Sequence, residues 1–407
     1  MLLKIPGSKN SCSPIMAASL LLNGIITLHN CPNTSDVNNM IKLLKQFNLK
    51  INFKNNNLSI DCSDKKMPLE IDYSVCTPFK HSYYILGSSH HMINKFKYKC
   101  LDGCNIGKRP IDQHIKLFSE LGKCEYNGFD LIIENNYIGD LVFEFSKKTV
   151  GGTTNAILSR ALCNYNTTLL NCQCDESIEE LCKFLNYCGG KITLLNDTIH
   201  IIGVKKLHLK NAYTIVEDPI ITTTYLVLSN LYKKNYKKDI LIKNINLEKN
   251  HNKKVLKILN DVGFYVIKNN NNYYYLKYEK KDIGEKCYSF DSEITDSMPF
   301  IVLLFTIYGI SSILKDDVYM NRTKSYNHLI KMGYTNLKIM NKTTVKIFNF
   351  KNNNIKKIPF VNYDLRGDAC NLITNLISGT YDNNFDDKYI SRGYPMLINI
   401  CNDLIKN

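Results

Sequence analysis

Residues 102–110 read DGCNIGKRP, in which one thiol, Cys104, is bracketed by Gly103 and Gly107 and followed by Lys108, Arg109 and Pro110. Free cysteine ordinarily behaves as a small buried hydrophobe, whereas Gly, Asn and Pro mark exposed backbone. A thiol placed beside two cations is a candidate reactive group, because nearby positive charge favours the thiolate. The two glycines let the segment change backbone conformation, and Pro110 sets its exit into a helix read from IDQHIKLFSELG. This is the pattern of a mobile loop carrying a nucleophile or proton donor.

No other cysteine is singled out in this way. The chain has 15, scattered without the paired CxxC spacing of a zinc site or a disulfide framework. Cys172 and Cys174, and Cys182 and Cys188 after them, read as reduced core thiols; no metal and no organic cofactor is expected. The balance of 52 Lys and Arg against 37 Asp and Glu gives a net charge of +15. The lysines are interleaved with Asn, as in KNNNNYYYLK, which describes solvated turns rather than one basic face, so no nucleic-acid partner is expected. The longest apolar run, Phe300 to Ile310, is too short to span a bilayer and predicts a buried helix. The N-terminus lacks a secretion-signal pattern, which places the chain in the cytoplasm with no membrane partner.

The elements that must position Cys104 show as internal repetition. NGIITLHNCPNTSDVNNMIKLLKQFNLKINF from Asn23 and NTTLLNCQCDESIEELCKFLNYCGGKITLL from Asn166 share a strand ending at Asn-Cys, a polar helix start, an amphipathic helix and a Lys-Ile strand. Weaker copies begin at Ile240 and Ser311; RPIDQHIKLFSELGKCEY and the C-terminal KYISRGYPMLINICNDLIKN complete six units. Strand and helix alternate in each, so the fold class is α/β, and at 407 residues two domains are the default. Three units per domain, with a crossover near Asp218, predict one domain of residues 9–216 and a second of residues 1–8 with 217–407. A cleft between two such domains would be a natural ligand site.

Four patches resemble the enolpyruvyl transferases: IPGSKN, DGCNIGKRPID, KTVGGTTN with the preceding Lys147, and the trio ITDSMPF, YDLRGDA and SRGYP. The Gly-Cys-x-Ile-Gly-x-Arg-Pro form is similar to the branch that acts on UDP-N-acetylglucosamine. The PGSK wording is closer to the branch that acts on shikimate 3-phosphate. The resemblance implies two similar domains of three βαβ-type units in an inside-out α/β barrel, with the active site in the interdomain cleft. It also implies transfer of the enolpyruvyl group of phosphoenolpyruvate to the 3-hydroxyl of UDP-N-acetylglucosamine with release of phosphate, in peptidoglycan synthesis. The alternatives are a shikimate-type transferase and a sugar-nucleotide binder without turnover.

The residues carried over are Cys104 as acid or adduct-forming thiol and Asp296 as base. Lys9, Arg109 and Arg392 would hold phosphoenolpyruvate. Asn10, Lys80, Lys147, Thr149, Val150, Gly151, Asp364 and Arg366 would hold or support the acceptor. Lys80 stands where the family usually has arginine, so a planar fork becomes a point charge. On spacing alone, Asp296 in TDSM would serve equally well as a helix N-cap.

Overall fold

The protein is described from a computed structural model, which covers residues 1–68, 71–72, 75, 79–92, 94–99, 111–350, 354–382 and 384–406. Four sheets share one connectivity. In the first, Ile25–His29 leads through the helix Ser35–Lys45 to Lys50–Lys54, and a hairpin returns Asn57–Asp61 between the two strands. A strand from elsewhere, Tyr213–Thr214, then pairs in parallel with Ile25–His29. Asn166–Leu170, the helix Glu176–Tyr187, Lys191–Leu195 and Thr198–Ile202 repeat this, with Leu141–Glu144 as the parallel edge. Leu241–Lys243 and Ser312–Asp316 open the other two copies, edged by Leu2–Lys4 and Lys286–Phe290.

The repeated Asn-Cys has a backbone cause. Asn30 and Asn171 both adopt positive φ, at 58° and 53°, a conformation that Asn tolerates better than most residues. Each side-chain amide then donates to the carbonyl just beyond the parallel edge strand, Asn30 to Ile215 at 2.9 Å and Asn171 to Phe145 at 2.7 Å. Asn thus turns the chain and ties the fourth strand to the sheet.

The fifth sheet, of Lys95–Lys99, Asp130–Asn135 and Gly122–Tyr126, has the same order without a parallel edge strand among the described residues. The C-terminal copy keeps only its helix, Leu397–Lys406; no strand occurs among the described residues after Ile347. The preceding YDNNFDDKYISRGYP explains this, because Asp, Asn, Gly and Pro leave no alternating apolar run to pair.

By contact the chain forms two compact units, Met1–Pro6 with Glu217–Asn407, and the described residues from Gly7 to Val216. Each has its own apolar core. Strands alternate buried and exposed residues, so each sheet turns one face inward. Inside lie helices buried on nearly all sides: Lys9–Ala18, Tyr84–Ser89 and Val150–Ala161 in one unit, and Pro219–Tyr236, Met298–Tyr308 and Leu365–Ile377 in the other. The apolar run at Phe300 belongs to Met298–Tyr308, which Gly309 ends at a φ of 67°. The helices between strands are instead amphipathic; Asn250–Asp261 buries His251, Asn252, Val255, Ile258 and Leu259 on one side. No described helix is long and apolar enough to cross a membrane. The twelve described cysteines are free and mostly buried, and burial pushes the thiols of Cys62 and Cys188 up to about 11 and about 12.

Buried histidines make the unit from Gly7 to Val216 sensitive to acid. Burial holds His90, His91 and His114 down to about 4. Folded pKa values below the unfolded value of about 6.5 mean that the stabilisation is present above that pH and is lost as pH falls toward 4. In the other unit, burial lowers His251 to about 4 but raises Asp368 to about 8. The raised acid favours folding as pH falls from 8 toward 4, so the two effects oppose each other there. Between pH 7 and pH 5 the histidine-rich unit is expected to lose on the order of 5 kcal/mol and the other to change little. Urea unfolding at both pH values, followed by hydrogen exchange in each unit, checks this.

Candidate active site

Most described motif residues lie at, or pack against, the N-terminus of an inner helix. In the unit from Gly7 to Val216, Ser8 caps Lys9–Ala18 by accepting from the Ser11 amide at 3.3 Å. Gly7 precedes it because a Cβ there would stand 1.9 Å from the Asn30 carbonyl oxygen. This close approach accounts for the glycine of IPGSKN. Lys9 is buried, and its Nζ donates to Asp36 Oδ2 at 2.9 Å. Asn10 follows, half-buried.

The other two helix starts in this unit meet around one histidine. Thr149 caps Val150–Ala161, its hydroxyl accepting from the Gly152 amide at 3.3 Å, so Val150 and Gly151 form the first turn. Gly151 faces the His114 ring: a Cβ there would lie 3.1 Å from Nε2. Asn155 Oδ1 accepts from the Gly87 amide at 2.8 Å, which orients its Nδ2 toward His114 Nδ1 at 3.0 Å. The ring is therefore neutral with its proton on Nε2. Burial first, and then the charge of exposed Lys80, keeps it so. Tyr83 stacks on the ring at 5.4 Å. Lys147 pairs with Asp112 at 2.8 Å, tying the start of Asp112–Glu120 to this corner.

In the other unit, carboxylates stand at the three inner-helix starts. Asp218 caps Pro219–Tyr236, accepting from the Ile220 and Ile221 amides at 2.8 and 3.1 Å. Asp364 caps Leu365–Ile377, accepting from Arg366 and Gly367 at 3.0 and 3.2 Å. Asp296, in the turn Thr295–Ser297, caps nothing: its Oδ1 accepts from Arg322 Nη2 at 2.8 Å and its Oδ2 from Arg366 Nε at 3.0 Å. Burial works against its charge, but the two guanidiniums outweigh it and hold the carboxyl well below the usual carboxylate range. A quarter of the Asp296 side chain remains exposed, so a ligand can reach it.

Arg366 also lies over the Tyr394 ring, 5.2 Å from its centre, and the Tyr394 hydroxyl is 3.4 Å from Thr224 Oγ1. Gly393 packs against Arg366, its Cβ position 3.3 Å from Nη1, which puts half-buried Arg392 next to this cluster. Arg322 Nη1 and Arg366 Nη1 are buried with no hydrogen-bond partner among the described residues. Cys104 and Arg109 lie outside the described residues.

Residues 2–399 match the sequence family EPSP synthase (3-phosphoshikimate 1-carboxyvinyltransferase). The chain belongs to this enolpyruvyl transferase family. It is 30% identical over 340 residues, 81% of this chain and 78% of the other, to UDP-N-acetylglucosamine 1-carboxyvinyltransferase 2 of Caldanaerobacter subterraneus subsp. tengcongensis. It is 29% identical over 418 residues, 98% of this chain and 94% of the other, to UDP-N-acetylglucosamine 1-carboxyvinyltransferase of Wolbachia pipientis subsp. Culex pipiens. The fold is that of the enolpyruvyl transferase NikO from Streptomyces tendae, with a TM-score of 0.80 at 15% identity over 100% of this chain and 94% of that one. EPSP synthase from Acinetobacter baumannii aligns with a TM-score of 0.66 at 11% identity over 99% and 95% of the two chains.

In this enolpyruvyl transferase the structure adds three residues to those marked by sequence: Arg322 on Asp296, Asp36 on Lys9, and His114 against Gly151. Only Arg322, in MNRTKSY, stood in a recognisable polar turn. Asp36 and His114 lie on amphipathic helices, where a single polar residue on the inner face has no local signature.

Two substitutions test these clusters. Gly367→Ala would bring a Cβ to 2.4 Å from Ser325 Cβ and push the turn Arg322–Tyr326 off the helix. Turnover is expected to fall at least about tenfold with the circular dichroism spectrum retained, because displacing a reacting group by about 1 Å is costly. Asp36→Ala would leave the Lys9 ammonium buried and unpaired, destabilising its unit by about 3 kcal/mol in urea unfolding. Combining Lys9→Met with Asp36→Leu should recover most of that loss.

Proposed function

We propose that the chain transfers the enolpyruvyl group of phosphoenolpyruvate to the 3-hydroxyl of UDP-N-acetylglucosamine and releases phosphate. The single observation that carries this reading is the gripping of partly exposed Asp296 by Arg322 and Arg366 at the inner-helix starts. The names of the curated relatives and the Cys104 loop support the sugar-nucleotide acceptor.

In this reading Lys9, Arg109 and Arg392 neutralise the phosphate and carboxylate of phosphoenolpyruvate. Asn10, Lys80, Lys147, Thr149, Val150 and Gly151 hold the sugar nucleotide, and Asp364 and Arg366 support the site. Cys104 protonates the methylene carbon while the sugar oxygen bonds to the neighbouring carbon and yields its proton to Asp296. The addition product then loses a methyl proton and phosphate, restoring the double bond. An Asp296 held by two cations is a weak base. The anionic substrate relieves this by drawing part of the guanidinium charge to itself.

A shikimate 3-phosphate acceptor is the second reading, favoured by the PGSK wording and the EPSP synthase family match. Phosphate release from phosphoenolpyruvate, measured with each acceptor in turn, decides between them; release with neither would sink both. Under the leading reading, Cys104→Ser is expected to slow turnover by at least about a hundredfold. It should also abolish inactivation by fosfomycin, a thiol-directed phosphoenolpyruvate mimic. Unchanged alkylation of the variant by that compound would remove Cys104 from the mechanism.

A further inference from the structure

We propose that Asp316 is a positioning residue for Asp296, acting through Arg322 and Thr295 to set where the proton acceptor sits and how much positive charge it carries. The proposal rests on Asp296 being the base.

Asp316 ends the strand Ser312–Asp316 and is 1% exposed. Its Oδ1 accepts from the Val318 and Tyr319 amides at 2.8 and 2.9 Å, so the carboxylate is fixed by the chain that follows it. The Thr295 hydroxyl lies 3.0 Å from both of its oxygens, and Thr295 is the residue before Asp296. Its Oδ2 is 3.0 Å from Arg322 Nε, while the same guanidinium reaches Asp296 through Nη2 at 2.8 Å. Tyr319 lies under the guanidinium, 4.5 Å from the ring centre to Cζ, and Arg322 is itself 1% exposed. Asp316 therefore accepts a hydrogen bond from the turn that carries Asp296 and stands in ion-pair contact with the cation that touches it, through an Nε that makes no hydrogen bond among the described residues.

The shared cation also matters electrostatically. The groups facing Asp296 are Arg322, Arg366, neutral His251 and Tyr394, with Asp316, Asp364 and Asp218 behind the two arginines. A guanidinium divided between two carboxylates stabilises each anion less than one devoted to a single carboxylate. Asp316 thus keeps Arg322 from suppressing the basicity of Asp296 further. A side chain serving only stability would fix Arg322 without altering the pH at which Asp296 works.

The test uses the full chain and the phosphate-release assay with the acceptor that supports turnover. Asp316→Asn keeps an oxygen for the Val318 and Tyr319 amides but removes the charge facing Arg322. Its kcat is expected to fall about tenfold, KM for both substrates to stay within about threefold, and the acid limb of the kcat profile to move to lower pH. Adding Arg322→Lys should cost no more than Arg322→Lys alone, since the two residues act as one unit. A wild-type kcat and pH profile in Asp316→Asn, or additive losses in the double variant, would overturn the proposal. Should Asp316→Asn fail to fold, Thr295→Val removes a donor to Asp316 at constant shape, leaves that carboxylate drawing Arg322 more strongly, and is expected to shift the profile in the opposite direction; an unshifted profile refutes the role. Asp296→Asn run alongside separates the two claims. If it remains active, the base assignment fails. If it is inactive while the Asp316 profile is wild type, the positioning role alone fails.

Discussion

A helix buried on all sides can offer solvent or ligand only its ends, and its first turn carries backbone N–H groups with no partner inside the helix. This chain puts helices in the interior of each unit and sheets around them, so that constraint applies at Lys9–Ala18, Val150–Ala161, Pro219–Tyr236 and Leu365–Ile377. Ser8, Thr149, Asp218 and Asp364 satisfy some of those N–H groups, and Lys9, Val150 and Arg366 follow within two residues of three of them. The helix dipole adds partial positive charge at the same ends, which suits anionic substrates. The sheets keep the helices inside, and each cap fixes the first turn of its helix.

The α/β fold class was legible because its repeat is written in residues with strict backbone needs. Asn30 and Asn171 occupy positive φ, and each precedes a cysteine that packs inward, so Asn-Cys marks one turn of one topology. The parallel edge strands were not legible. Leu2–Lys4 and Tyr213–Thr214 are short, and each pairs with a strand about two hundred residues away, as Leu2 does with Leu241. Nothing local in LLK or YT specifies such a partner. The sixth unit misled for the opposite reason: the amphipathic pattern of Leu397–Lys406 is plain, but an amphipathic helix does not require a sheet beside it.

At the site, the resemblance marked residues held by backbone geometry and residues held by other side chains, but not the side-chain partners Arg322, Asp36 and His114. Thr149 and Asp364 cap helices, and a cap has a fixed distance to its helix in sequence. Asp296 shows the limit: TDSM reads as a cap, yet the carboxylate turns to Arg322 and Arg366, 26 and 70 residues away. An ion pair of this kind contributes little net stability, because the arginines and the aspartate must be dehydrated to form it. Its retention at a partly exposed carboxylate fits function better than folding.

The two units carry opposite chemistry at equivalent places. Helix starts in the unit from Gly7 to Val216 bear Lys9, which is paired with Asp36, exposed Lys80 and uncharged Thr149. Those of the other unit bear Asp218, Asp296 and Asp364, which cancel the helix charge, and arginines then restore it at a chosen spot. The second arrangement depends on how guanidinium charge is divided among several carboxylates, and that division changes whenever an anion enters. A repeated scaffold can in this way present different charge at equivalent helix starts without altering a single sheet.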